Sequence, residues 1–211
     1  GLPSLYPALW LKRYPPRQYV DIRERTSWSC HHGVSRWLGN CTCTPGDGAW
    51  KQTMFSALRH LADELDALFI DELKGHFSEP LQLRNHYIRV VLGEILVGEF
   101  IQGTSSRVLS KSEEHRVHLL LEMQRERLRM FTSCGWFFDD LDRPEPKNNL
   151  AYAAQAVHLA RLATGIDLET NVRRNLAGAM STRNGIRADQ VFESRLQRAV
   201  ESQLTQIGFA R

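Results

Sequence analysis

The chain has 211 residues, with 27 Lys and Arg against 24 Asp and Glu, and 42% of its residues are hydrophobic. That composition excludes a disordered tail and is rich enough to build a core without staples. A net charge of +3 demands no polyanionic partner, and no apolar run approaches the roughly 20 residues that span a bilayer.

The cations are mostly Arg, set between acids as in Arg23-Glu24-Arg25 and Arg125-Glu126-Arg127. That interleaving marks solvated helix faces, not a stripe that tracks phosphates. The more basic stretch from Arg173 to Arg198 offers only Phe192 for stacking on bases. No nucleic-acid partner and no membrane association are expected. Four cysteines are few for a disulfide framework, and no secretion signal is seen, so reduced thiols and a cytoplasmic location are expected.

Along the chain, Ala8 to Tyr14 and Gln18 to Thr26 read as two short strands, a β-hairpin turned at Pro15-Pro16. In the second, Val20 and Ile22 alternate with Asp21 and Arg23. Residues 26–50 read as an ordered Cys/Trp-rich loop with a helical turn near Val34 to Leu38. After Trp50 the period becomes helical: Met54, Leu58, Leu61, Leu65, Leu68 and Phe69 share one stripe. Pro80 opens a second helix carrying Tyr87, Ile88, Val91, Leu92, Ile95 and Leu96. Ser110 and Glu113 have capping-box spacing and start a third, through Val117, Leu120, Leu121, Leu128 and Phe131. A fourth runs from about Glu145 to Ala163 and ends at Gly165. Asp167 to Met180 and Arg187 to Ile207 complete the set. The expectation is a mainly α fold, an irregular bundle of five to seven helices. It forms a single domain over 1–211, with a β entry (1–25), the loop (26–50) and a helical body (51–211).

Two segments concentrate chemistry. One is Thr26-Ser-Trp-Ser-Cys-His-His-Gly-Val-Ser-Arg-Trp37, followed by Cys41-Thr-Cys43; the other is Phe131-Thr-Ser-Cys-Gly-Trp-Phe-Phe-Asp-Asp140. Three readings compete. Cys30, His32, Cys41 and Cys43 make a thiolate–imidazole set suited to zinc, with His31 or Cys134 as substitutes, although the spacing matches no common zinc knuckle. In the plainer reading Cys30 and Cys134 are small buried residues, and no cofactor is bound. In the third, Trp28, Trp37 and Trp136 stack on sugar rings while His32, Asp139 and Asp140 hydrogen-bond hydroxyls. The two segments are expected to meet in space, with Gly33 and Gly135 allowing the close approach and Ser27, Ser29, Thr132 and Ser133 pairing the loops' backbone groups.

These segments resemble the C-terminal helical domain, of unknown function, that follows the catalytic barrel in a bacterial branch of glycoside hydrolase family 57, the α-amylase-like proteins. The resembling motifs are Trp10-Leu-Lys-Arg-Tyr-Pro-Pro16, Thr26 to Val34, Asn40-Cys-Thr-Cys43, Leu120 to Arg125, Thr132 to Asp140 and Ala153-Ala-Gln-Ala156. Asn40 and Thr42 depart from the family's Asp and Gly at those places. The resemblance implies an accessory domain that completes or supports the sugar-binding cleft of an α-glucan-processing enzyme. Its partners would be an upstream catalytic barrel of the same polypeptide and an α-glucan or maltooligosaccharide. The catalytic Glu and Asp would belong to the barrel. Asp139 and Asp140 adjoin on the chain and are expected to point apart, so they do not supply a retaining pair. The alternative is a structural or protein-interaction helical module.

Overall fold

The computed structural model describes residues 6–27, 29–44 and 46–209, with side chains up to Ser202. It divides into two compact units, Gly1–Val34 and Ser35–Arg211.

In the first unit, the segment expected to be the first strand is helix α1, Pro7–Arg13. Pro7 sits at its start, where a missing N–H costs nothing, and Ala, Leu, Lys and Arg favour a helix over the next turns. The Trp10 and Tyr14 rings, one turn apart, lie 4.4 Å centre to centre. The second expected strand is irregular, and Tyr19, Val20 and Ile22 are 91, 85 and 88% exposed. A strand needs a partner ladder, and once α1 is helical the alternation from Val20 to Arg23 has none. The β-hairpin is therefore corrected to a helix and an irregular segment. Arg25 takes the left-handed conformation (φ 54°), and Gly33 does the same at φ 67°, where a Cβ would meet the Arg25 carbonyl at 2.7 Å.

The second unit is helical, and no strand occurs among the described residues; one isolated bridge joins Met180 to Arg187. Its elements are α2 (Ser35–Leu38), α3 (Ala49–Leu73), α4 (Pro80–His86), α5 (Ile88–Val91), α6 (Val97–Thr104), α7 (Lys111–Arg129), α8 (Cys134–Phe137), α9 (Pro144–Thr164), α10 (Glu169–Leu176) and α11 (Ala188–Phe209). Met54, Leu58, Leu61, Leu65 and Phe69 of α3 are all at most 1% exposed, as the 3.6-residue stripe requires. Helix α9 packs on both α7 and α11, while α10 packs on α3 and α11. The alanines at 153, 154, 156 and 160 are fully buried and keep α9 narrow there. Among the described residues, no helix is long and apolar enough to cross a membrane.

The helix expected from Pro80 to Leu96 is instead α4 and α5, ended by Gly93 in the left-handed region (φ 73°), with α6 next along the chain. Leu92 and Leu96, placed by the sequence on the apolar stripe, are 65 and 71% exposed, because the break rotates them off it. Leu128 of α7 also faces outward. The capping box is present: Glu113 N–H donates to Ser110 Oγ (3.3 Å), and Ser110 N–H donates to the Glu113 carboxylate (2.8 Å). Gly165 closes α9 at φ 78°, its N–H on the Arg161 carbonyl.

Candidate functional site

The second motif lies at α8. Asn149 of α9 reaches its start: Asn149 Nδ2 donates to the Thr132 carbonyl (3.1 Å) and Oδ1 accepts from Thr132 Oγ1 (2.8 Å). Gly135 faces that amide so closely that a Cβ would overlap it. Trp136 is 4% exposed, its ring edge-on to Phe55 at 5.6 Å, so it is core and presents no face to a sugar. Asp140 is 1% exposed and accepts from Asp142 N–H (2.8 Å), Ser181 Oγ (2.7 Å), and Thr182 N–H and Oγ1 (both 3.1 Å). Burial pushes its pKa up, but these hydrogen bonds outweigh burial and hold the carboxyl below its ordinary range. The Asp139 carboxylate pairs with Arg183. The two neighbouring carboxylates thus engage one turn, 181–183, where the sequence suggested that they point apart.

The two motifs meet, through the end of the first. Arg36 Nε donates to the Phe137 carbonyl (3.0 Å), and its guanidinium lies 3.9 Å from the Phe137 ring centre. Trp37, half-buried, stands 5.6 Å from the same ring. The glycines and hydroxyls expected at this junction serve elsewhere: Gly135 and Thr132 accommodate Asn149, Gly33 accommodates Arg25, and Ser27 pairs with Ser29 (3.0 Å). Trp28 lies outside the described residues.

Lys51, near the start of α3, carries no signal in the sequence that marks it as functional. It is 1% exposed and donates from Nζ to the Arg36 carbonyl at 2.6 Å. Burial first, and then Arg36, push its pKa down to about 8, against the opposing pull of Asp139 and Cys41. The folded state then binds this proton less tightly than the unfolded chain does, so the penalty is present below pH 8 and fades as the pH rises toward 10.5. Stability of the native chain relative to a Lys51→Met variant is expected to increase between about pH 8 and pH 10. Urea titrations of both proteins at each pH would check it; a pH-independent difference would contradict it.

In the Cys loop, Thr44 N–H donates to the Cys41 carbonyl (2.9 Å). Asn40 Oδ1 accepts from Gly48 N–H, and Asn40 Nδ2 donates to Asp47 Oδ1 (2.8 Å), which also accepts from Ala49 N–H (2.9 Å). An Asp at this place could accept from Gly48 N–H but could not donate to Asp47 as the Asn40 amide does. Among the described non-glycine residues only Arg25 has positive φ, so Thr42 sits unstrained where the resembling domains carry Gly. Cys30 is buried, Cys41 half-buried, and His32 and Cys43 exposed. Cys30 Sγ and His32 Nδ1 are 3.8 Å apart. This Cys/His set, Cys30, His32, Cys41 and Cys43, could bind a metal. Neither substitute ligand belongs to it: His31 stacks on His32 at 3.7 Å, and Cys134, expected to be buried, is exposed.

None of the curated proteins and none of the solved structures matches the chain. A family model described as Domain of unknown function (DUF3536) matches residues 47–210. The chain belongs to this family. The DUF3536 match takes in α3 to α11, and with them the second motif and its Asp140 clamp. It starts at Asp47, after the four-donor loop.

Proposed function

We propose that this DUF3536 chain is an accessory module of an α-glucan-processing glycoside hydrolase of family 57 type, without catalytic power of its own. The observation that carries the non-catalytic part is the commitment of Asp139 to Arg183 and of Asp140 to Ser181 and Thr182. A carboxylate that must donate or accept a proton at a glycosidic oxygen cannot be buried under four hydrogen bonds. The motif resemblance supports the glucan part. A barrel on the same polypeptide would supply the catalytic Glu and Asp, and this chain would support the cleft. Trp37, held by Phe137 with part of its ring exposed, is the side chain best suited to an outer sugar contact; His32, also exposed, is a hydrogen-bonding candidate. Trp136 and Asp140 drop out of that role because they are buried.

That same burial favours a second reading, a structural or protein-interaction module. The two separate cleanly. The purified chain is expected to release no reducing sugar from maltoheptaose, and its tryptophan fluorescence is expected to respond to that oligosaccharide in a way that Trp37→Ala abolishes. Turnover that survives repurification and is lost in Asp139→Asn would overturn the non-catalytic assignment. A fluorescence response absent at saturating oligosaccharide, or unchanged in Trp37→Ala, would leave the interaction module.

A further inference from the structure

We propose that a groove lined by α7, α9 and α11 binds a small organic phosphate, the monoester of a sugar or other non-aromatic polyol. Every residue in it belongs to the unit Ser35–Arg211, and none belongs to either motif, so the inference is independent of the glucan reading. Shape comes first. Helix α9 packs on both α7 and α11, so its outward stripe forms a floor between two walls. Ala151, Gln155, Leu159 and Leu162 recur along that stripe at helical spacing. His115 and Leu119, four residues apart, stand on the α7 wall. Arg195, Arg198, Ala199 and Ser202, at i, i+3, i+4 and i+7, stand on the α11 wall. The space between them is about 510 Å³, more than a bare phosphate fills and within the range of small-molecule sites.

The second observation is charge. Among the described residues, no carboxylate lines the groove, whereas two guanidiniums do. Other arginines of the same basic stretch are matched by acids: Arg173 by Glu169 and Glu193, Arg183 by Asp139, and Arg187 by Asp189. Arg195 and Arg198 make no hydrogen bond or ion pair among the described residues. Acids on the flanking helices are engaged elsewhere, Glu113 with Arg107 and Glu114 with Lys111, and Glu201 lines a separate cleft. Arg195 is half-buried, and a guanidinium that gives up water without gaining a carboxylate is costly. Two such cations one turn apart also repel each other. A phosphate monoester, close to doubly charged at neutral pH, offsets both, and its three free oxygens match the forked donors of two arginines.

The third is the remainder of the lining. Gln155, Ser202 and His115 supply amide, hydroxyl and imidazole groups that can pair with a ligand's hydroxyls. Leu119, Leu159 and Leu162 give its carbon skeleton an apolar surface to rest on. Among the described residues, no Phe, Tyr or Trp lines the groove, so a nucleotide base finds no such ring to stack on. The set therefore favours a hydroxylated organic phosphate over both inorganic phosphate and a nucleotide.

Calorimetric titration of the full chain at neutral pH and low salt tests this. Glucose 6-phosphate and glycerol 3-phosphate are expected to bind saturably, with Kd below about 1 mM. Inorganic phosphate should bind about tenfold more weakly, AMP no more tightly than glucose 6-phosphate, and uncharged glucose not measurably. Added salt should weaken the binding of both esters. The double variant Arg195→Gln/Arg198→Gln should raise their Kd by about tenfold or more. Its melting temperature should stay within about 1 °C of the wild type, because neither arginine has a partner to lose. Arg174→Gln, on an exposed residue of the same basic stretch outside the groove, should leave binding unchanged. Absence of binding by both esters at about 10 mM would overturn the proposal. So would binding that survives the double variant or is lost equally in Arg174→Gln, and so would inorganic phosphate or AMP binding more tightly than both esters. The ligand series on the wild-type chain decides the matter even if a variant fails to fold.

Discussion

Asp140→Ala is expected to destabilise the chain by about 3 kcal/mol, lowering its melting temperature by roughly 6–12 °C. The carboxylate is 1% exposed and accepts four hydrogen bonds, from Asp142 N–H, Ser181 Oγ, and Thr182 N–H and Oγ1. Removing it leaves donors inside the protein that water cannot reach, each costing about 1–3 kcal/mol when unpaired, although the costs do not add fully. It also unties residues 140–142 from the turn that precedes α11. The pH dependence has a definite sign. Because the folded carboxyl titrates below its ordinary value, its stabilisation is fully present above the unfolded pKa of about 3.9 and is lost as pH falls through the folded pKa. The gap between native and variant should therefore be flat from pH 5 to 8 and narrow in acid. Asp140→Asn, which keeps one acceptor oxygen but no charge, should fall between the two. A thermal shift below 2 °C for Asp140→Ala would show that the clamp contributes little.

Gly135→Ala is expected to cost a similar amount, about 2–4 kcal/mol, for a different physical reason. The new methyl would occupy the place of the Asn149 amide. Asn149 is 1% exposed and cannot swing into solvent without abandoning both hydrogen bonds to Thr132. Overpacking and lost pairing therefore come together. The double variant Gly135→Ala/Asn149→Ala separates this account from a general dislike of alanine in α8. The clash is relieved once Asn149 is gone, so the two substitutions should be clearly less than additive. Strict additivity in chemical denaturation would refute the proposed contact.

How far the sequence could be read depends on which forces are local. The stripe from Met54 to Phe69, the Ser110–Glu113 box and the stop at Gly165 were all legible, because each depends on residues within a turn or two of one another. Even so, period alone misread the stretch from Pro80 to Leu96. An apolar pattern continues past Gly93, but a left-handed glycine ends the helix whatever residues lie beyond it. The alternation from Val20 to Arg23 failed for the reverse reason: a strand exists only with a neighbour, and the segment expected to pair with it folded as α1.

At the candidate site, the sequence by itself determined which residue types were available: three cysteines and two histidines within Cys30–Cys43, and Trp, Gly and paired carboxylates within Phe131–Asp140. It also marked the two segments as belonging together. Only the tertiary structure decided the role of each side chain. It turned Trp136 inward to Phe55, committed Asp140 to Ser181 and Thr182, left Cys134 outside, and set Lys51 beneath Arg36. Burial and hydrogen-bond partners more than forty residues away are not written in any local pattern. The same Trp or Asp becomes core, clamp or binding group according to what the helices bring against it.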